Sequence, residues 1–134
     1  MVEALPDSRF GWRVAGGGHV DNERLASCGQ PAAAVDGLVA AFAGEVAERL
    51  PRLIAALVHR DSAYLGESVR IALRDAHTLG GSAALLGEQE VSRSARRVEA
   101  LLVRWRAEPV ADLLDDAAHE VDRLQHLLAG WARA

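Results

Sequence analysis

Four segments of this chain, all after Pro31, carry hydrophobic residues at steps of three and four positions. That spacing puts the hydrophobic residues on one face of an α-helix, and no segment alternates with the period of two typical of a half-buried β-strand. The segments span 35–57, 65–86, 91–105 and 110–131. Short breaks join them, so the pattern predicts an all-α fold, an up-down antiparallel four-helix bundle.

The residues between the hydrophobic positions predict where the helices begin and end. Pro51 either kinks one long helix or lies in the first turn of a second. Asp61 or Ser62 offers a polar N-cap to the next helix, Gly87 supplies its C-terminal stop, and Pro109 breaks the chain before the last helix. The residues predicted to form the core are Val35, Leu38, Phe42, Val46, Leu50, Leu53, Leu57, Leu65, Val69, Ala72, Ala76, Leu79, Ala83, Leu86, Val91, Ala95, Val98, Leu102, Trp105, Val110, Leu113, Ala117, Val121, Leu124, Leu128 and Trp131.

The first thirty residues follow no such period and include Gly16-Gly17-Gly18. They predict a flexible tail or linker, with a short turn of helix near residues 22–27 as the alternative. The sequence therefore divides into an N-terminal extension, 1–30, that is flexible or partly helical, and a bundle, 31–134.

Composition supports a helical fold and argues against binding to nucleic acid and to membranes. Half of the 134 residues are hydrophobic but only 4% are aromatic, which favours close-packed helices rich in Ala and Leu. The net charge of −4 gives no basic field for nucleic acid, and all fifteen basic residues are arginines. Cys28 is the single cysteine, and neither a membrane-spanning run nor a leader-like N-terminus is present. We expect a cytoplasmic protein that binds no membrane.

One polar residue on the second predicted helix stands beside the hydrophobic stripe rather than in it. His77 follows Ala76, and its row along the helix is Arg70, Leu73, Gly81 and Ala84. A plain solvated face would carry more charged side chains than this row does. Small and apolar residues around one polar group indicate a docking surface.

Gly80 and Gly81 follow one turn after His77. Each glycine in a helix interior costs about 1 kcal/mol relative to alanine, so two in succession need a compensating reason. Their missing side chains either keep the approach to the His77 ring open or allow a neighbouring helix to pack closely. The sequence leaves both explanations in place.

The chemistry available to an exposed histidine here is narrow. The neutral imidazole is a nucleophile near neutral pH. Hydrolysis would also require a partner nucleophile, an orienting acid and oxyanion donors, and the sequence has neither a Gly-x-Ser-x-Gly motif nor a phosphate-cradling loop. A histidine accepts a phosphoryl group without these when its partner supplies the donor and Mg²⁺.

Residues 76–87, Ala-His-Thr-Leu-Gly-Gly-Ser-Ala-Ala-Leu-Leu-Gly, resemble the motif of the histidine phosphotransfer (HPt) family. That motif reads A-H-x-L-K-G-S-A-x-x-L-G, and every fixed position but one matches. The surroundings agree, because Phe42 precedes the motif and residues 97–99, Arg-Val-Glu, follow it in the next helix. The resemblance covers about residues 35–130.

The resemblance implies a bacterial four-helix bundle whose exposed histidine, here His77, carries a phosphoryl group between the aspartates of receiver domains. The implied partners are response-regulator receiver domains and a hybrid histidine kinase of a multistep two-component phosphorelay. The receiver would provide the acidic pocket and Mg²⁺, so this chain needs no cofactor or metal and no kinase or ATPase site of its own. The surface expected to dock a receiver comprises Leu73, Arg74, Gly80, Gly81 and Ala84.

The departure from the motif is Gly80, where the family usually has lysine. Arg74, one turn before His77, is the nearest cation and a candidate substitute. Loss of the cation should weaken stabilisation of the phosphoryl group without removing the nucleophile. Two other functions therefore remain open: a receiver-binding module that sequesters its partner without useful transfer, and a structural bundle that dimerises through Leu73 and Ala84.

Two further groups of polar residues have more than one interpretation. His119 and His126 each follow an aspartate by four positions, a spacing that suits a metal but is more typical of surface pairs along a helix. The arginines at 93, 96 and 97 either form a solvated face or belong to the rim of a docking surface. The sequence does not separate these alternatives.

Overall fold

The computed structural model describes residues 32–60 and 62–133, and the predicted extension 1–30 lies outside them. The described chain forms four helices: α1 (Ala32–Leu57), α2 (Leu65–Leu85), α3 (Gln89–Ala107) and α4 (Ala111–Arg133). A short 3₁₀ turn, Ser62–Tyr64, precedes α2. Each helix packs on the next along the chain, and α1 also packs on α4. The predicted all-α four-helix bundle is confirmed.

Polar contacts between α1 and α2 show that neighbouring helices run in opposite directions. Arg52 contacts Asp75, whereas Glu45, earlier on α1, accepts a hydrogen bond of 2.6 Å from Ser82, later on α2. The residue numbers of the contacts increase along α1 as they decrease along α2, which is the pattern of an antiparallel pair. The short connections between consecutive helices require the same arrangement.

Most residues of the predicted stripes are buried in one continuous core. Phe42 and Trp131 meet there edge to face, with ring centroids 5.1 Å apart, and close α1 against α4. The prediction for Val110 is wrong, because α4 begins at Ala111 and leaves Val110 43% exposed in the connection. Leu114 is buried in α4, while its neighbour Leu113 is only half-buried.

The helix ends match the sequence in part. Pro51 lies inside α1, so the chain has one long helix there and not the start of a second. Tyr64 occupies the N-cap position of α2 without a side-chain hydrogen bond, so the predicted cap at Ser62 is wrong, and Asp61 lies outside the described residues. Gly87 ends α2 as predicted, with a φ of 76° that favours glycine.

A buried carboxylate joins α1 to α2 two residues before His77. The Asp75 side chain is 1% exposed, and its oxygens accept hydrogen bonds from Arg49 at 2.9 Å and from Arg52 at 2.8 and 3.0 Å. The hydrogen bond to Asp75 is the main cause that raises the pKa of Arg52. Two arginines one turn apart on α1 therefore fix the position of α2 at the level of His77.

Candidate functional site

His77 lies at mid-length on α2 and its side chain is 64% exposed. Its Nδ1 atom is 2.9 Å from Oε2 of Glu99, on the facing side of α3. A carboxylate only accepts hydrogen bonds, so the neutral ring carries its hydrogen on Nδ1 and donates it to Glu99. No hydrogen bond or ion pair engages Nε2 within residues 32–60 and 62–133. The lone pair of Nε2 is thus available to a reactant from outside.

Glu99, which was not among the predicted site residues, is the residue that contacts the His77 ring. It belongs to the motif's surroundings in the next helix, but no role follows from its position in the sequence alone. Its side chain is only 24% exposed, so the carboxylate that receives the His77 hydrogen bond is partly shielded from water. Only the antiparallel register of α2 and α3 brings the two residues together, and twenty-two positions separate them.

Replacing Glu99 tests whether the carboxylate orients the ring. Glu99→Gln keeps an acceptor for the Nδ1 hydrogen, so we expect it to retain most phosphoryl uptake by His77. Glu99→Ala frees the ring to rotate and change tautomer, and should slow uptake about tenfold, as the loss of an orienting partner does at other histidine sites. Initial rates of ³²P incorporation measure both. Glu90→Ala, an exposed change elsewhere on α3, is the control; equal rates for it and Glu99→Ala would contradict the orienting role.

The structure brings most of the predicted docking residues together around His77. Leu73 is half-buried one turn before the ring, and Gly81 and Ala84 continue the row on the other side, with Ala84 exposed. Leu85, which the sequence prediction omitted, is 67% exposed at the end of the same helix. The row of α2 that follows His77 therefore has small and apolar side chains, which suits close approach by a large partner.

The two glycines of the motif face different environments. A Cβ atom built on Gly80 would lie 3.2 Å from Cγ of Arg96 and 3.5 Å from Cβ of Ala95, so this glycine is buried against α3. A Cβ built on Gly81 would meet no atom of the described residues within 4 Å. Close packing against α3 therefore explains why position 80 is a glycine. Contrary to the sequence prediction, Gly80 does not border the exposed row of His77. An open approach to the ring remains the explanation only for Gly81.

Alanine substitutions at the two glycines should separate packing from access. Gly81→Ala should raise the free energy of unfolding by about 0.5–1 kcal/mol, because it removes backbone freedom from the unfolded chain at no steric cost. It should nevertheless slow transfer from a receiver, because a methyl group now stands beside the ring. Gly80→Ala should lack the gain in stability, since its methyl group crowds α3. Thermal unfolding and transfer assays measure both, and a stabilised Gly81→Ala protein with full transfer would exclude the role in access.

A model of the Hpt domain matches residues 37–132, which contain α2, α3 and most of α1 and α4. The chain belongs to the Hpt domain family. Its membership gives it a phosphotransfer-type role in phosphorelays, with receiver domains and histidine kinases as the classes of partner. No curated protein and no solved structure matches the chain.

The arginines near the histidine of this Hpt domain are engaged to different degrees. Arg70 donates hydrogen bonds of 2.6 and 3.2 Å to Glu67, and these bonds lower the pKa of Glu67. The charge of Arg74 also lowers this pKa, by a smaller amount. Arg74 is exposed and forms no ion pair within residues 32–60 and 62–133. On α3, Arg97 pairs with Glu120 at 3.3 Å. The arginine cluster of α3 therefore divides, with Arg97 directed toward α4.

His119 and His126 form no site comparable to that of His77 within the described residues. Nδ1 of His119 and of His126 lies 3.0 and 2.9 Å from the backbone carbonyl oxygens of Asp115 and Asp122. Those local contacts are typical of a helix surface. Across the part of the chain that the structure describes, no three His, Cys, Asp or Glu side chains converge as a metal site would require. No helix there is long and apolar enough to cross a membrane.

Proposed function

We propose that this Hpt domain carries a phosphoryl group between receiver-domain aspartates on Nε2 of His77. The observation that carries the proposal is the geometry of the ring: Nδ1 is held by Glu99 at 2.9 Å while the side chain is 64% exposed. A fixed tautomer with an outward nucleophilic nitrogen is what in-line attack on phosphorus requires.

In the transfer step, the Nε2 lone pair attacks the phosphorus of a receiver's aspartyl phosphate. A nitrogen–phosphorus bond forms, the bond from phosphorus to the aspartyl oxygen breaks, and the aspartate leaves as a carboxylate. The ring keeps its Nδ1 hydrogen and becomes a phosphoimidazolium, whose positive charge the Glu99 carboxylate stabilises at 2.9 Å. Attack by a second receiver's aspartate reverses these bond changes and restores the neutral ring.

The division of labour between the partners follows from what surrounds the ring. Leu73, Gly81, Ala84 and Leu85 provide small and apolar docking contacts along α2, and Arg74 is exposed one turn before the ring. The receiver supplies Mg²⁺ and the acidic pocket that neutralise the phosphoryl group during transfer. The Hpt domain acts as a rigid carrier, and the Asp75 contacts keep α2 in place while the receiver closes over it.

The test is transfer of label from a receiver domain phosphorylated on its aspartate with ³²P. We expect the label to move to the wild-type chain in an acid-labile, alkali-stable form, as a phosphohistidine requires, and then to a second receiver. Stable binding of the receiver with no movement of label would instead support sequestration, which the lack of a lysine at Gly80 favours. Neither binding nor transfer to any receiver from the same genome would overturn both functions.

A further inference from the structure

The turn of α2 that follows His77 carries no basic side chain. A phosphoryl group on nitrogen brings a charge of about −1.5 to −2 near neutral pH and three acceptor oxygens. A cation beside such a group stabilises both the carrier state and the transfer transition state. Gly80 and Gly81 supply none, so any such charge must come from another turn or another helix.

Arg96, on α3, lies against Gly80, the position where the family motif has a lysine and this chain has no side chain. Its Cγ atom is 3.2 Å from a Cβ built on Gly80, so the arginine occupies the space that a side chain at position 80 would need. Arg96 also stands three residues before Glu99 on α3, which puts the two side chains on one face with Cβ atoms about 5–6 Å apart. Glu99 holds the His77 ring, so Arg96 and the ring share one side of the α2–α3 contact.

The charge of Arg96 is uncommitted. Among residues 32–60 and 62–133, an ion pair with a carboxylate engages Arg49, Arg52, Arg60, Arg70, Arg97 and Arg123, whereas Arg96, like Arg74 and Arg93, forms none. Its side chain is exposed beyond the atoms that cover Gly80. Arg74, the alternative indicated by the sequence, lies six positions before Gly80 and therefore about 120° around α2 from the face that packs on Arg96.

We propose that Arg96, on α3, supplies the positive charge that binds the phosphoryl oxygens on His77. The lack of a side chain at Gly80 leaves the space that the Arg96 side chain crosses. This inference rests on the proposed function of His77. A guanidinium offers several fixed N–H donors, so it suits a phosphoryl group at least as well as an ammonium does. The cation and the orienting carboxylate thus both come from α3, while the nucleophile comes from α2.

The test uses phosphoramidate, which needs no receiver. The Nε2 lone pair attacks phosphorus, the phosphorus–nitrogen bond of the donor breaks, and ammonia leaves with a proton from water. Arg96→Gln keeps the Cγ packing over Gly80 but removes the charge, and it should slow labelling about fivefold to tenfold and shorten the phosphohistidine lifetime. Arg96→Lys should retain most of the rate. The charge-matched control Arg93→Gln, on the preceding turn of α3, should stay within about twofold of wild type, and Arg74→Gln should cost less than Arg96→Gln.

An exchange of positions gives a second, independent readout. Gly80→Lys alone should gain little, because its Cβ crowds Cγ of Arg96. Combined with Arg96→Ala, which removes that atom, the new lysine has room and should restore the rate lost in Arg96→Ala. Circular dichroism checks that each variant is folded.

The outcomes separate the two proposals. If His77→Gln abolishes labelling but Arg96→Gln behaves like Arg93→Gln, the carrier function stands and the role of Arg96 is wrong. A larger loss with Arg74→Gln than with Arg96→Gln also overturns it and assigns the charge to Arg74. If the wild-type chain takes up no phosphoryl group from phosphoramidate or from a receiver, both proposals fail together.

Discussion

Replacing His77 with glutamine is expected to abolish phosphoryl uptake from a receiver while changing the free energy of unfolding by less than about 0.5 kcal/mol. The amide of glutamine has no nucleophilic nitrogen, so no bond to phosphorus forms. Stability should hold because the His77 side chain is 64% exposed and belongs to no part of the core. Incorporation of ³²P and chemical denaturation measure the two effects on the same preparation.

His126→Gln is the matched control for this loss. His126 is also an exposed helical histidine whose Nδ1 contacts a neighbour, but it lies on α4 and its side chain is 78% exposed. It should take up label at the wild-type rate. Equal labelling of His77→Gln and wild type would place the phosphoryl group on another residue, and loss of helicity in His77→Gln would show that the ring is structural.

The Asp75→Ala variant is expected to lose about 3 kcal/mol of stability, the largest loss that we expect from a single polar substitution in this bundle. Removing the carboxylate takes from Arg49 its ion-pair partner among the described residues and leaves Arg52 only the more distant Glu48, at 3.7 Å. Within the same residues, Nε of Arg49 is already buried without a hydrogen-bond partner. The expected loss is moderate for a buried ion pair, because both guanidiniums are partly exposed and can recover some hydration. Urea unfolding monitored by circular dichroism measures it.

Asp122→Ala, which removes an exposed carboxylate from α4, should change stability by less than about 0.5 kcal/mol and is the control. If Asp75→Ala lost no more than this control, the Asp75 contacts would not hold α1 and α2 together. Because Asp75 does not touch the ring, the folded fraction of Asp75→Ala should still accept phosphate at low temperature. Complete loss of uptake in fully folded protein would contradict a purely positioning role.

The helices and most of the core could be predicted from sequence because both depend on local periodicity. A residue's place in the 3.6-residue repeat decides its burial once helices pack, as Ala76 and Leu79 show. Val110 was predicted wrongly because the hydrophobic pattern begins one residue before the helix itself begins. The N-cap of α2 was misplaced for a similar reason, because the last residue of a 3₁₀ turn, Tyr64, stands at that position.

The site was only half predictable, because its second half lies on another helix. His77 is conspicuous within α2, but its partner Glu99 and its neighbour Arg96 depend on the register between α2 and α3, which no local pattern encodes. The two glycines look alike in sequence, and only the presence of α3 beside Gly80 distinguishes them. Asp75 did leave a signal, a carboxylate in line with Ala72 and Leu79 on the buried face.

We expect the phosphoryl group to be carried by Nε2 of His77, the ring nitrogen that stays exposed while Glu99 holds Nδ1. Nuclear magnetic resonance of ¹⁵N-histidine-labelled protein after phosphorylation tests it directly, because a one-bond coupling between ³¹P and ¹⁵N identifies the bonded nitrogen. We predict one such coupling, to Nε2 of His77, with Nδ1 still protonated. Coupling to Nδ1, or to a histidine other than His77, would contradict the account.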